Sequence, residues 1–321
     1  MSFIIAGGAG FIGTNFIKSI IDSEKQIFVL DNFSINNQSF LKPYKKDNLE
    51  IIKCDLSNQE DTDTSIKKII ELANSEVSIW HFAANSNIPN GIANPRIDLN
   101  DTFMTTFNLL ESCKKYKIRS FRFASSSAIY GDHGTKKIKE STGPLIPISN
   151  YGAMKLASEA QCFACYESFL DNLRIFRFPN VVGSPATHGV IFDFINKLKK
   201  DPYNLKVLGD GNQSKDYLHV DDLVKGMLFL AKDNLRMDSS PIFNIGPIGN
   251  PVKVSWIAKK TVEITSPKAK ITFENKKAGW VGDIPVFSYD IQKAIEAGWE
   301  PTMTSTKAIE KAIKEIYYQL S

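Results

Sequence analysis

Six short apolar, β-branched runs, at Phe3–Ala6, Ile27–Leu30, Glu50–Lys53, Val77–Phe82, Phe121–Ser125 and Leu173–Phe178, are separated by stretches of helical periodicity. This alternation constrains the chain more than any other feature. The helical stretches carry apolar residues three and four apart: Phe16, Ile17, Ile20 and Ile21; Phe103, Phe107 and Leu110; Leu156, Ala160, Phe163 and Leu170. Repeated strand–helix–strand units bury these faces through right-handed crossovers. The prediction is an α/β fold, a doubly wound parallel sheet with helices on both faces. Past Pro179 the pattern loosens. Gly183, Pro185 and Gly189 break it, and Asp201-Pro202 and Gly209-Asp210-Gly211 mark turns. The expected division is a first domain over residues 1–178 and a smaller C-terminal α/β domain over 179–321, some segments of which return to the first sheet.

The first strand runs directly into Gly7-Gly8-Ala9-Gly10-Phe11-Ile12-Gly13, and an amphipathic helix follows. Gly7 permits the tight turn, Gly10 lets a pyrophosphate approach the backbone, and Gly13 permits close helix–strand packing. The free amides of the helix start then face the phosphates. Asp31 lies 31 − 13 = 18 residues beyond Gly13, at the end of the second strand, where a carboxylate can hydrogen-bond the adenosine ribose hydroxyls. That charge repels a 2′-phosphate, and no arginine stands in Asn32-Phe33-Ser34. The residues predict a Rossmann-type domain that binds NAD in preference to NADP.

Composition excludes several other classes. The 39 basic and 35 acidic residues leave a net charge of +4, with the lysines in small scattered clusters. A solvated surface is expected, not a nucleic-acid face. No run reaches 18 apolar residues, and the opening apolar run stops in glycines with no basic leader before it. A cytoplasmic protein without a membrane span is the expectation. Cys162 and Cys165 form a C-x-x-C inside a helical pattern with no further ligands nearby, so buried thiols are expected and no metal.

Tyr151 and Lys155 stand i, i+4 at the start of a predicted helix, so both project from one face. A nearby ammonium favours the phenolate and makes a tyrosine usable as a base near neutral pH. The pair follows a fifth strand that ends in Ser125-Ser126-Ser127. With these residues the chain resembles the extended short-chain dehydrogenase/reductases of the nucleotide-sugar epimerase and dehydratase group, and in pattern it is most similar to the UDP-hexose 4-epimerases. The resemblance spans nearly the whole length. It rests on Gly7 to Gly13, Asp31, Asp55-Leu56, His81-Phe82-Ala83-Ala84, Asn108-Leu109-Leu110-Glu111, Ser126 to Gly131, Tyr151 with Lys155, and Arg177-Phe178-Pro179-Asn180. Asp216 to Asp222, Phe243-Asn244-Ile245-Gly246 and Gly298-Trp299-Glu300-Pro301 extend it.

The resemblance implies roles. Tyr151 is the acid/base at a sugar hydroxyl, Lys155 holds the nicotinamide ribose and depresses the Tyr151 pKa, and Ser126 shares the hydroxyl's hydrogen bond. Gly7, Gly10, Phe11, Ile12, Gly13, Asp31, Asn32, Asp55, Leu56, Ala83 and Ala84 surround NAD, with Asp55 at the adenine. Ser86, Ser126, Ser127, Tyr151, Asn180, Val190, Lys215 and Trp280 face a nucleotide-sugar. Tyr130 is structural. Relatives dimerise through the helices that carry Asn108 and Tyr151, so a homodimer is expected, as is a place in carbohydrate metabolism.

The chain departs from the family pattern in ways that bear on the reaction. Where the 4,6-dehydratases carry an Asp-Glu pair, this chain has Ser127 and Ala128, neither of which moves a proton. The decarboxylases keep a glutamate at Ala128. Lys215 replaces an arginine for the substrate diphosphate and lacks its bidentate fork. A second arginine has no counterpart in 278–283; Lys276 or Lys277 is a candidate substitute, Trp280 a candidate to stack on a base, and Thr102 stands where an asparagine is common. His188 is either a sugar contact or a plain loop residue. A 4-epimerase working through a transient 4-keto sugar is the expected activity. A net 4-dehydrogenase or ketoreductase and a 4,6-dehydratase are the alternatives. A dinucleotide-sensing regulator tends to lose the tyrosine or the lysine, and this chain keeps both.

Overall fold

Each apolar run of the N-terminal half becomes a strand: β1 (Ser2–Ala6), β2 (Ile27–Asp31), β3 (Leu49–Lys53), β4 (Val77–His81), β5 (Ser120–Ala124) and β6 (Asn172–Arg177). The structure, a computed structural model, describes residues 1–35, 38–232, 240–274 and 284–321. The six strands pair in parallel in the order β3-β2-β1-β4-β5-β6, and the strand Ile242–Asn244 adds a seventh member beside β6. Between β1 and β4 the strand order reverses. This is the topological switch point, where ligands of such sheets bind outside the carboxyl ends.

The helices are α1 (Phe11–Ile20), α2 (Gln59–Leu72), α3 (Ile88–Ala93), α4 (Pro95–Asp98), α5 (Thr105–Lys115) and α6 (Asn150–Ser168). β1, β4 and β5 are buried along their whole length, as strands covered on both faces must be. Alternate side chains serve opposite layers. Ile4, Ala6, Ile79, Phe121 and Phe123 join a core with Ile69, Leu109, Cys113 and Cys162 of the helices. Trp80 faces the other way, its ring 4.4 Å from that of Phe16 on α1. Polar side chains of these strands pair with one another and with α5: Ser78 Oγ lies 3.0 Å from Ser120 Oγ, and His81 Nε2 2.9 Å from Thr106 Oγ1. On α5 the buried stripe is Thr106, Leu109, Leu110 and Cys113, while Phe103 and Phe107 are only partly buried. The expected face of Phe103, Phe107 and Leu110 is thus shifted: Leu110 is buried together with Leu109 and Cys113, and the phenylalanines are not.

The chain divides into two compact units. The first is Met1–Tyr130, Leu145–Arg177 and Ala231–Phe243; the second is Gly131–Pro144, Phe178–Leu230 and Asn244–Ser321. Residues 131–144 precede the cut at 178, yet they cluster with the second unit. Ile138 bridges Tyr289, and Glu140 accepts a hydrogen bond from the Asn244 backbone at 2.7 Å. In the second unit α7 (Val190–Lys200), α8 (Val220–Leu230), α9 (Val254–Thr265), α10 (Gln292–Glu296) and α11 (Ser305–Leu320) accompany short strand pairs. Ile195, Leu205, Val207, Ile257, Ile309 and Ile313 centre its core. Asp222 holds the approach to α11, accepting from the Thr302 and Met303 amides at 3.0 Å each. Among the described residues no helix is long and apolar enough to cross a membrane, and all four cysteines are free and buried.

Candidate active site

After Ala6 the chain turns through Gly7-Gly8-Ala9-Gly10 into α1. Gly7 has φ +78°, and a Cβ on it would meet the Ala83 backbone nitrogen at 2.5 Å. The turn therefore lies against the segment after β4, where the amides of Phe82 and Ala83 both donate to Ala6 O. A side chain at residue 7 would force these strand ends apart. Gly10 precedes α1 without a side-chain cap, and a Cβ on it meets nothing nearer than 3.4 Å. Thr14 is the first residue of α1 to donate one turn back, to Gly10 O at 2.9 Å. The amides of Phe11, Ile12 and Gly13 come before it, which is the arrangement that receives a phosphate.

Asp31 closes β2. Its Oδ2 accepts from the Ala9 amide at 2.9 Å and its Oδ1 from the Phe33 amide at 2.8 Å. Burial pushes its pKa up, and those two amides pull against the rise. The carboxylate thus ties the glycine turn to β2, and its remaining lone pairs are available to ribose hydroxyls. Asn32 beside it is exposed and accepts from the Ser34 amide. Asp55, after β3, is exposed and holds Ser57 through its amide and hydroxyl, at 3.0 and 2.8 Å. Leu56 is buried, and its carbonyl accepts from Asn108 Nδ2 at 2.9 Å. Ala83 and Ala84 are partly buried beside the turn. An uncapped helix start for a pyrophosphate and a braced carboxylate for a ribose fit a dinucleotide.

The second cluster forms where β5 ends. Ser126 opens a short turn, Ser127–Ile129, and its Oγ accepts from the Ala128 amide at 3.2 Å. α6 is capped by Ser149, whose hydroxyl accepts from the Gly152 amide at 3.1 Å. A Cβ on Gly152 would lie 2.4 Å from Ala128 O, so the start of α6 rests on the turn that carries Ser126. This close approach brings the Tyr151 hydroxyl beside the Ser126 side chain, which favours its ionised form. Lys155, one turn on, is 2% exposed and donates to Ala124 O at 2.7 Å. Its Nζ lies 4.7 Å from the Phe123 ring centroid and 5.9 Å from that of Tyr151.

Burial works against the phenolate that the sequence reading expects Lys155 to favour. Burial pushes the Tyr151 phenol up to about 12, against the Ser126 hydrogen bond, with the Asp98 charge adding to the rise. Burial likewise pushes the Lys155 ammonium down to about 7, with Cys162 and Glu159 opposing. Desolvation is the largest influence on each group.

The first unit therefore brings together Ser126, Tyr151 and Lys155, with Ser127 half-buried in the turn beside them. Ser86 lies exposed in the loop after β4. Asn180, Val190 and Lys215 belong to the second unit: Asn180 is exposed at the start of a strand, Val190 begins α7, and Lys215 lies on the strand Ser214–Lys215. His188 is exposed, its ring nitrogen 2.9 Å from Thr187 Oγ1. Trp280, Lys276 and Lys277 lie outside the described residues. Two groupings escape the motif reading. Asn85 donates to the buried Asp98 at 2.8 Å, and its amide donates to Thr102 Oγ1 at 3.2 Å. Thr102 thus braces the loop after β4, from a π-helical stretch (Leu99–Met104) that leads into α5. Glu159 pairs with Arg177 behind Ser125. Its place at i+4 from Lys155 is the signal that could have exposed it.

Comparison with known proteins agrees with this geometry. Residues 3–246 match the NAD dependent epimerase/dehydratase family. The UDP-glucose 4-epimerase of Bacillus subtilis is 27% identical over 325 residues, which is 94% of this chain and 92% of that protein. The UDP-glucuronic acid decarboxylase 1 of Xenopus tropicalis is also 27% identical, over 333 residues, 98% of this chain and 73% of that protein. A crystal structure of a UDP-galactose 4-epimerase superposes with a TM-score of 0.84 at 31% identity, covering 100% of both chains. With its glycine turn, its braced Asp31 and its serine–tyrosine–lysine cluster, the chain belongs to the NAD dependent epimerase/dehydratase family, whose cofactor is NAD.

Proposed function

We propose that the protein is an NAD-dependent 4-epimerase of a nucleotide-sugar, of the UDP-hexose type, which works through a transient 4-keto sugar. One observation carries this reading: Tyr151 stands beside Ser126, one helical turn from a buried Lys155, and no second acid stands at Ser127 or Ala128. Epimerisation needs a single proton acceptor, whereas eliminating water at C5 and C6 needs a further acid and base. The family's epimerases of UDP-glucose and UDP-galactose support the substrate class.

NAD, when bound, supplies a reversible hydride acceptor. The residues of this chain do the rest. The start of α1 receives the pyrophosphate, and Asp31 receives the adenosine ribose. Tyr151 accepts the proton of the C4 hydroxyl while Ser126 holds the same oxygen in place. Burial opposes a lone phenolate and a lone ammonium alike, so Tyr151 gives up its proton when Lys155 is charged and the two charges offset each other. Tyr151 returns the proton after the keto sugar has turned over. Asn180, Val190, Lys215 and Trp280 are the proposed substrate contacts of the second unit. The partly exposed Phe103 and Phe107, their rings 6.1 Å apart on adjoining turns, suit the proposed pairing of two copies.

The test is Tyr151→Phe, assayed with NAD and UDP-hexoses by product NMR. The variant is expected to bind NAD and to lose turnover by at least about a hundredfold. Turnover at the wild-type rate removes the mechanism. Stoichiometric NADH from the wild type, in place of isomer exchange, identifies a net dehydrogenase.

A further inference from the structure

The catalytic stripe of α6 continues one turn beyond Lys155. Tyr151, Lys155 and Glu159 stand at i, i+4 and i+8 and so share one face of the helix. Glu159 is 2% exposed, a burial that an isolated carboxylate does not tolerate. It is held from two directions. Arg177, the last residue of β6, donates Nε to Oε1 at 2.9 Å and Nη2 to Oε2 at 2.6 Å, the planar bidentate pairing. Ser125, the residue just after β5, donates its hydroxyl to Oε1 at 2.5 Å. The third Arg177 nitrogen, Nη1, donates to the Tyr130 hydroxyl at 2.9 Å, and the guanidinium lies 5.0 Å from the Tyr130 ring centroid. Tyr130 ends the short turn that Ser126 opens. All four groups are buried.

Their placement is specific to the reacting trio. Ser125 immediately precedes Ser126, Tyr130 closes the Ser126 turn, and Glu159 lies on the helix that carries Tyr151 and Lys155. We propose that the Glu159–Arg177 pair, with Ser125 and Tyr130, positions the reacting residues by clamping the Tyr151–Lys155 stripe of α6 to the Ser126 turn. Glu159 and Arg177 act through other residues and touch no reacting atom. The inference rests on the assignment of Ser126, Tyr151 and Lys155 given above.

The clamp has a charge as well as a shape. The groups that face Lys155 are Glu159 and Cys162 on its own helix, Tyr151 one turn before it, and His81 on β4. Glu159 is the fixed anion among them. Removing its charge leaves burial less opposed, so Lys155 loses its proton at lower pH. The alkaline limb of the rate profile, which reports a charged Lys155, then moves to lower pH. A purely structural pair would alter stability and leave that limb in place.

The experiment compares wild type, Glu159→Gln and Ser125→Ala for kcat, KM, NAD affinity and the pH dependence of kcat, with circular dichroism as the folding control. Glu159→Gln is expected to lower kcat about tenfold to a hundredfold and to move the alkaline limb down by about one pH unit, with KM little changed. Ser125→Ala leaves the Arg177–Glu159 pair intact and tests the clamp even if Glu159→Gln fails to fold. It is expected to lower kcat several-fold at unchanged KM and NAD affinity, and Ser125→Thr restores it. Wild-type kcat in folded Glu159→Gln, or in Ser125→Ala, overturns the clamp. If Tyr151→Phe keeps full turnover, the active-site reading itself fails, which is a separate result.

Discussion

Asp31, proposed above to receive the adenosine ribose, also serves the fold. Its two oxygens already accept the Ala9 and Phe33 amides, so the carboxylate organises the glycine turn before any ribose arrives. Asp31→Ala is therefore expected to weaken NAD binding by more than a lost ribose contact. It removes the anchor between β2 and the turn as well as the charge. A drop in affinity of about a hundredfold is expected by titration calorimetry, the sum of one or two charge-assisted hydrogen bonds. Tighter binding of NADP than NAD to the wild type would contradict the reading of this residue. The same scale exposes a limit of spacing arguments. The i, i+4 relation puts Tyr151 and Lys155 on one face, but it carries no information on desolvation, which pushes the Tyr151 phenol up and the Lys155 ammonium down.

Among the elements, α6 decides the site. It is long, has no strongly apolar face, and depends at its start on two small features: the Ser149 cap and the Gly152 contact with Ala128 O. Ser149→Ala removes the side-chain acceptor of the Gly152 amide and is expected to cost about 1 kcal/mol in urea unfolding. Because Tyr151 lies inside that first turn, kcat is expected to fall more than stability alone explains. An unchanged unfolding midpoint would show that the cap is dispensable. The strands were legible from their apolar runs, since a strand covered on both faces has a composition that reveals it. The α5 stripe was not, because Thr105, Thr106, Asn108 and Ser112 are buried beside Leu109, Leu110 and Cys113, and the hydropathy of those polar residues does not announce burial.

For the molecule as a whole, the two units are tied internally by acids that a motif list records only as conspicuous letters. Asp216 is 2% exposed and accepts from the Tyr289 amide at 2.7 Å, joining segments 73 residues apart. Burial pushes its pKa up to about 6, with the Tyr289 and Ser288 hydrogen bonds opposing. The folded carboxyl therefore keeps its proton where the unfolded one, near about 4, has lost it. Stability from this group is complete below about pH 4 and falls as pH rises towards 6, by about 2–3 kcal/mol in all. Asp216→Asn is expected to flatten that part of the stability profile, measured by chemical denaturation at a series of pH values. An unaltered slope between pH 4 and 6 would refute it. In the same unit His219, Asp221, Glu315 and Lys311 form one cluster, with His219 Nε2 3.1 Å from Glu315 and the Lys311 ammonium bonded to Asp221. Three of these could ligate a metal, but the lysine makes the group an ion-pair cluster.

The amino-acid sequence by itself determined the parallel sheet, the glycine turn, Asp31 and the Ser126, Tyr151 and Lys155 trio. Each depends on local spacing: a run that is buried on both faces, a turn that only glycine permits, and one helical turn between two side chains. Tertiary structure alone decided the desolvation of Tyr151 and Lys155, the use of Asp31 as a brace, the passage of 131–144 into the second unit, and the Glu159–Arg177 pair. These depend on which residues distant in the chain meet in the interior and on how much water they lose there. Spacing along the chain records neither.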